Sequence, residues 1–503
     1  MDDRQSVMKS IMIAGYYGAG NLGDEAILSA ILEPITDEQE SVEVTVCSWQ
    51  PELTQKIHGV SAISWLKMSQ IALAASKADL IIIGGGGIFQ DYWGLDPNSY
   101  LRSNHGGITT YGSLALLAEL FGIPCLLFGV GIGPLTTERG KKHTLKTIMR
   151  CQAVSLRDQQ SYEELVAIGY NPDDPLSPPI SVATDLTFLT HAAPASSKSV
   201  DDIFTQLSFE PQTRLLGVNL RYWDRSAPLS DWLPIAAAGI REFLNLKSDY
   251  DAILLPFQRF AESIYTDDEK VCTELAKLID LPERVHMIPG VIDPDLMKAL
   301  IGRCDIFFGM RLHAVIFALL NHVPAAALSY DPKIDNLMCE TGLDSVLPIY
   351  NLEDPAQIRS LLIDLDLNQN QIRPRIAANI REQQNKSTKQ LDLLGEMLEN
   401  TAVKPIPLIL RKFLLNKVQV MEDLDLKLND LQESSDVPDS EINELHTELN
   451  LLSQEIQNFH SRRIYHLIVT LQNHLDRILP SGKYRRSEPQ IRVSGSRVGE
   501  KYD

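Results

Sequence analysis

The chain has 503 residues, 44% hydrophobic and 22% charged, an ordinary globular composition long enough for two or three domains. A formal net charge of −20 argues against binding nucleic acid or anionic lipid through overall charge, so an anionic ligand would need a local basic pocket. The six cysteines (Cys47, Cys125, Cys151, Cys272, Cys304, Cys339) show neither a CxxC pair nor zinc-like spacing, which fits free buried thiols in a reducing, cytoplasmic compartment.

MDDRQSVMKS at the start carries no apolar signal region, and no apolar stretch reaches membrane-spanning length, so the expectation is a soluble or peripheral protein. From residue 10 to about 190, strand-like runs alternate with helical patterns. The strand candidates are SIMIAG, VEVTVCSW, DLIIIGGG, PCLLFGVGI, AVSLRD and SVATDL; helical patterns fall at 24–35, 69–77, 111–121, 141–150 and 159–168. Continuous β-branched runs between helices predict a parallel sheet covered on both faces, hence a Rossmann-like domain over 1–190. Residues 191–212, in a Pro-, Ser- and Asp-rich region, read as a linker. Alternation resumes over 213–350 with RLLGVNLRYW, YDAILLPFQ, VHMIPG, CDIFFGM and PAAALSY. The expected fold class is α/β, two tandem Rossmann-like domains in a glycosyltransferase-B-like arrangement.

Residues 351–400 read as helices returning to the first domain. Over 401–480 the expectation is a helical or coiled-coil extension. Ile442, Leu445, Leu449, Leu452 and Ile456 keep 3-4 spacing, which slips once and continues at Ile464, Leu467, Leu471, Leu475 and Ile478. Residues 481–503 read as a disordered, mildly basic tail.

IMIAGYYGAGNLGDEAIL joins the first strand to the first helix. The N–H groups of Gly15, Gly18, Gly20 and Gly23 and the helix N-terminus are able to receive an anion. The spacing is not G-x-G-x-x-G, the second strand does not end in a ribose-holding acid, and no GK[ST] appears. Asp24 and Glu25 would repel phosphate there, whereas as helix caps they favour the dipole. IIIGGGGIFQD and GVGIGPL are two further glycine-rich strand exits. Ligands of open α/β sheets bind outside the carboxyl ends of strands, so three such exits point to a site; the alternative is that glycines merely permit tight turns.

FFGMRLHAVIFALLNHVP places Arg311 and His313 in the first turn of a helix facing the interdomain cleft. A guanidinium opposes the dipole there, so Arg311 calls for an anion, which would also meet helix N–H groups and the imidazole. Arg221 ends GVNLRYW, Lys333 follows PAAALSY, and Arg157 ends AVSLRD. Lys and Arg are usually surface charges, but each of these sits at a strand end on the ligand-binding rim.

In order along 10–350, the motifs GYYGAGNLGDEAIL, IIIGGGGIFQD, FGVGIGP, SLRD, ATDLTF, GVNLRYW, GMRLHAVIFALLNHVP and SYDPK resemble the polysaccharide pyruvyltransferases. The resemblance is nearest to the bacterial enzymes that modify cell-wall glycans used to anchor S-layer proteins. It implies transfer of an enolpyruvyl unit from phosphoenolpyruvate onto a sugar as a 4,6-type ketal. Phosphoenolpyruvate would lie against the second domain at Arg311, Leu312, His313 and Arg221, while Asn21 and Asp24 would face the acceptor glycan. Lys333, Arg157, Gly20 and Gly86 complete the expected substrate-binding set. His313 is the candidate acid–base group, Asp24 or Glu25 would assist a sugar hydroxyl, and Arg311 and Arg221 would stabilise departing phosphate. Expected partners are phosphoenolpyruvate, as co-substrate, and the hydroxyls of a lipid-linked or polymeric glycan, with no nucleic acid. Neither a metal nor another cofactor is required by this scheme.

The first alternative is a nucleotide-sugar glycosyltransferase of the same architecture. Such enzymes often place a Glu on the helix that here begins with RLH, and AVIFALLNH contains no acid. The second is a membrane-proximal scaffold. Over 403–420, Lys404, Arg411, Lys412 and Lys417 lie beside Ile406, Leu408, Ile409, Leu410, Phe413 and Leu414. That pattern suits either an interfacial helix at the inner face of the plasma membrane or a core-packing or oligomer-forming helix.

Overall fold

The computed structural model describes residues 9–38, 42–92, 94–191, 198–210, 212–225, 227–259, 267–288, 293–399, 406–433 and 438–459. Its first sheet holds β1 (Lys9–Ala14), β2 (Val42–Ser48), β3 (Ser61–Ser64), β4 (Leu80–Phe89), β5 (Cys125–Ile132), β6 (Ala153–Leu156) and β7 (Ile180–Val182). They are ordered β3-β2-β1-β4-β5-β6-β7, and every pairing is parallel. Helices α1 (Leu22–Glu38), α2 (Pro51–His58), α3 (Met68–Ala75), α4 (Ile108–Phe121), α5 (Glu138–Ile148) and α6 (Gln159–Ala167) make the crossovers. Pattern reading passes over β3, because SAIS is a partly exposed edge strand without a continuous apolar run.

The second sheet holds β8 (Arg214–Asn219), β9 (Tyr250–Leu254), β10 (Val285–Met287), β11 (Ile306–Gly309), β12 (Ala325–Ser329) and β13 (Val346–Pro348). Their order is β10-β9-β8-β11-β12-β13, again parallel throughout. Around it lie α7 (Lys198–Gln206), α8 (Leu229–Leu246), α9 (Asp268–Ile279), α10 (Pro294–Gly302), α11 (Leu312–Leu320) and α12 (Pro332–Glu340). Both sheets reverse direction of winding at their first strand, β1 beside β4 and β8 beside β11, and ligands of such sheets bind outside those strand ends. This is the expected pair of Rossmann-like domains in a glycosyltransferase-B-like arrangement.

Two local expectations differ. The segment read as a linker contains α7, whose Val200 and Phe204 join the second domain's core; its apolar residues recur at helical spacing despite the polar composition. The run of glycines at 84–87 lies inside β4 rather than beyond its end, with a register irregularity against β5 between Gly86 and Phe89.

The domains are stitched together at several places. Leu22 N–H donates to the Phe257 carbonyl at 3.0 Å, and Arg259 N–H donates to the Gly20 carbonyl at 3.3 Å. Leu22 and Ala26 of α1 belong to the second domain's apolar cluster. The returning segment is one 45-residue helix, α13 (Pro355–Glu399). Its Ile358 and Leu362 pack on the second domain and its Leu394 and Leu398 on the first.

The extension forms two helices, α14 (Leu408–Glu433) and α15 (Asp439–Gln457), which pair with each other and lie on the first domain. Ile406, Leu410, Leu414, Val418, Met421, Leu445, Leu449 and Ile456 share an apolar cluster with α3 and α4. Of the apolar stripe that suggested a lipid face or an oligomer contact, Ile406, Leu410 and Leu414 are buried within the chain, while Phe413 is 41% exposed. The positions from Ile464 onward and the tail lie outside the described residues. Among the described residues no helix is long and apolar enough to cross a membrane.

Candidate active site

The carboxyl ends of both sheets open on one cavity of about 550 Å³ between the domains, a size that suits a small-molecule site. Asn21, Asp24, Arg157, Arg221, Arg311, Leu312, His313 and Lys333 all line it. Gly20 and Gly86 do not; Gly87 does.

The two glycines act one step back. Gly20 has φ of +65°, which turns its backbone against Arg259 and carries part of the interdomain stitch. Gly86 has φ of +78°, and a Cβ there would lie 2.8 Å from the Asp24 carboxylate. A Cβ at Gly131 in GVGIG would overlap the Arg157 guanidinium, and one at Gly23 would overlap the His313 ring. The glycine-rich exits thus make room for the chain's own cavity-lining side chains.

Asp24 is 7% exposed. Burial and, secondarily, the nearby Glu25 and Asp185 push its carboxyl up to about 6, against the opposing pull of His313 and Arg311. A carboxyl with that poise exchanges protons close to neutral pH. Asn21 Nδ2 donates to it, and Asn21 Oδ1 accepts the Gly23 N–H, so the same side chain starts α1 and orients the acid. Glu25 is committed elsewhere: it accepts the Gly18 N–H at 2.7 Å and meets His58 Nε2 at 2.8 Å. It does not line the cavity, so of the two acids the structure leaves Asp24 at the site.

His313, one residue into α11, faces α1 across the cleft. Its Nε2 lies 3.4 Å from Asp185 Oδ2, an ion-pair separation without hydrogen-bond angles. Burial alone would raise the Asp185 carboxyl, but His313, then Arg157 and the Thr187 hydroxyl, hold it well below the usual carboxylate range. Asp185 is thereby an anion held beside the imidazole. It belongs to ATDLTF, read from sequence as part of a strand; the structure instead makes it the cap of a 3-10 turn over Leu186–Leu189.

Arg311 caps α11 with extended backbone, and the anion its position calls for is internal. Its Nε and Nη2 meet Asp268 at 2.6 and 2.7 Å, and Nη2 also donates to Gln258 at 3.0 Å. Asp268 is 1% exposed and also accepts the Phe257 and Gln258 N–H groups. Arg311 is therefore rigidly held at the cavity wall.

Arg221 donates from Nη1 to the Tyr330 hydroxyl at 3.1 Å and from Nε to the Tyr222 carbonyl at 3.3 Å. Lys333 Nζ lies 3.1 Å from Asp331 Oδ2, beside the Tyr330 ring. Burial pushes the Tyr330 phenol up, but Lys333 and Arg221 together bring it below its ordinary value. Tyr330 lies in SYDPK yet was not marked by sequence reasoning; the signal was its position between two marked cations. Arg157 reaches the same wall, its Nε on Asp158 at 3.0 Å. The cavity thus has a cationic pole of Arg157, Arg221, Arg311 and Lys333. The first domain supplies a different wall, with Tyr16, Leu95, Asp96, His105 and Tyr111. No group of three or more His, Cys, Asp or Glu suited to a metal ion occurs among the described residues.

The structure shares its fold with MnaA of S. aureus, solved with UDP, at a TM-score of 0.54 and 10% identity over 78% of this chain and 97% of that one. It also matches the UDP-GlcNAc 2-epimerase of Neisseria meningitidis, solved with UDP-GlcNAc, at a TM-score of 0.50 and 12% identity over 77% and 100%. At such identity the likeness concerns the fold alone. The amylovoran biosynthesis protein AmsJ of Erwinia amylovora is 22% identical over 406 residues, covering 74% of this chain and 96% of its own. A model of the polysaccharide pyruvyl transferase family matches residues 21–332, which take in every strand of the two sheets but β1 and β13 and every charged residue of the cavity described above except Lys333. The chain belongs to the polysaccharide pyruvyl transferase family and is a transferase.

Proposed function

We propose that the chain transfers the enolpyruvyl unit of phosphoenolpyruvate onto two hydroxyls of one sugar in a cell-surface polysaccharide or its lipid-linked precursor, as a ketal. The observation that carries this reading is one cavity joining four cations to a carboxyl poised near neutrality and an imidazole backed by a carboxylate. Phosphoenolpyruvate bears a phosphate and a carboxylate, which suit guanidinium and ammonium groups.

The methylene carbon takes a proton, leaving the adjacent carbon electrophilic, and a first sugar hydroxyl adds there as it loses its proton. Phosphate then departs with the C–O electron pair, and the second hydroxyl bonds to the same carbon and closes the ketal as its proton passes to the departed phosphate. His313 is assigned the proton delivered to the methylene carbon, and Asp24 the proton removed from the attacking hydroxyl. Arg221 and Lys333, with Tyr330 between them, are assigned to the departing phosphate. The aromatic first-domain wall suits a sugar ring, with Asp96 able to accept from its hydroxyls.

α11 contains no acid along Leu312–Leu320, which weighs against nucleotide-sugar glycosyl transfer. Phosphoenolpyruvate is expected to raise the melting temperature where UDP-sugars do not. His313→Ala is expected to remove phosphate release while leaving the fold intact. Stabilisation by UDP-sugars alone, or near-unchanged turnover in His313→Ala, contradicts the reading.

A further inference from the structure

The segment from 94 to 107, between β4 and α4, supplies Leu95, Asp96, His105 and Gly106 to the cavity. Its backbone is strained, because buried Leu101 has φ of +60°, a region that a leucine occupies only when its surroundings force it. Contacts on either side of Leu101 come from α14 and α15, which lie outside the family match at 21–332. Arg102 Nε donates to Asp425 Oδ1 at 2.8 Å, and Ser103 N–H donates to Asp425 Oδ2 at 3.2 Å. Ser453 Oγ donates to the Tyr100 carbonyl at 3.3 Å, and Leu101 N–H donates to Ser113 Oγ at 2.9 Å.

One turn before Asp425, Glu422 accepts the Ser69 N–H at 2.6 Å. It supplies the cap that Lys67 does not give α3. Both acids are about 5% exposed or less, and burying carboxylates is costly unless each is paired. Any other seating of the hairpin would strand two anions and Arg102. The hairpin thus has one register on the first domain, and that register fixes the backbone on either side of Leu101.

We infer that the C-terminal hairpin holds the acceptor-side wall of the cavity in shape, with Asp425 acting as a positioning residue through Arg102 and Ser103. Only the identity of the bound sugar rests on the proposed function; the mechanical coupling does not. The test uses the full chain carrying Asp425→Asn. Amides at 94–107 are expected to exchange hydrogen at least about tenfold faster, with β8–β12 unchanged. In turnover, the acceptor KM is expected to rise about tenfold while the phosphoenolpyruvate KM stays within about twofold. The exchanged pair Arg102→Asp with Asp425→Arg is expected to restore part of the acceptor KM. Unchanged exchange at 94–107 overturns the inference, as does a rise spread equally over β8–β12 or a change in both KM values together. If Asp425→Asn does not fold, Ser453→Ala carries the same exchange readout with the same outcomes. Exchange is read without substrate. A faster-exchanging segment in a chain that transfers no pyruvate therefore contradicts the proposed function alone, and unchanged exchange with intact transfer contradicts this inference alone.

Discussion

Asp24 shows how a buried cavity-lining carboxyl opposes stability. Its carboxyl holds a proton up to about pH 6 in the folded chain, against 3.8 for the free group. Between about pH 4 and 6 the folded state binds a proton that the unfolded state has released, so this contribution to stability falls as pH rises and stays lost above that window. Two pKa units correspond to ~3 kcal/mol as an upper figure. Asp24→Asn is accordingly expected to lower turnover by about 10²-fold or more while raising unfolding stability near pH 7.5, a gain that shrinks toward zero by about pH 4. Equal stability of the two proteins at both pH values in denaturant titration contradicts this. Gly23→Ala tests a neighbouring claim. Within α1 alanine is the better helix former, yet its methyl overlaps the His313 ring. Turnover is expected to fall about 10²-fold through displaced imidazole, and a variant with unchanged turnover would remove that steric argument. The basic residues were legible because each lies at or just past the end of a strand in a quoted motif. Their partners were not: Asp185 and Asp268 reach His313 and Arg311 from far along the chain, and nothing local marks such pairings.

Among elements, the strands of both sheet interiors were readable because buried parallel strands are continuously apolar. Short edge strands such as β3 and β13 lack that signature, and α7 was hidden by the polar composition around it. The helical spacing of α15 was visible, but what it packs against was not, since an apolar stripe serves a membrane, a second chain or the chain's own core alike. Leu445, Leu449 and Ile456, together with Leu410, Leu414, Val418 and Met421 of α14, answer that by sharing the first domain's apolar cluster. A chain ending at 400 is therefore expected to aggregate or lose its cooperative transition. Leu414, 1% exposed, is a milder probe. Leu414→Ala is expected to cost about 2–5 kcal/mol in denaturant unfolding, and a loss below about 1 kcal/mol contradicts burial there.

Taken whole, the molecule places its chemistry where two parallel sheets point their carboxyl ends at each other. The net charge of −20 is compatible with an anionic donor because the cleft gathers Arg157, Arg221, Arg311 and Lys333 on one side. The glycine turn after β1 leads into a helix that carries acids, Asp24 and Glu25, in its first turn. It anchors the second domain through Gly20 and Leu22 and presents Asp24 and Asn21 to the cleft. The central claim is tested most directly by incubating the chain with phosphoenolpyruvate and lipid-linked β-linked amino sugars, then following phosphate and the mass of the glycan. The account predicts phosphate release matched by a glycan heavier by pyruvate less water, with both lost in His313→Ala. A glycan unchanged by phosphoenolpyruvate but lengthened by one sugar from a UDP-sugar would contradict it.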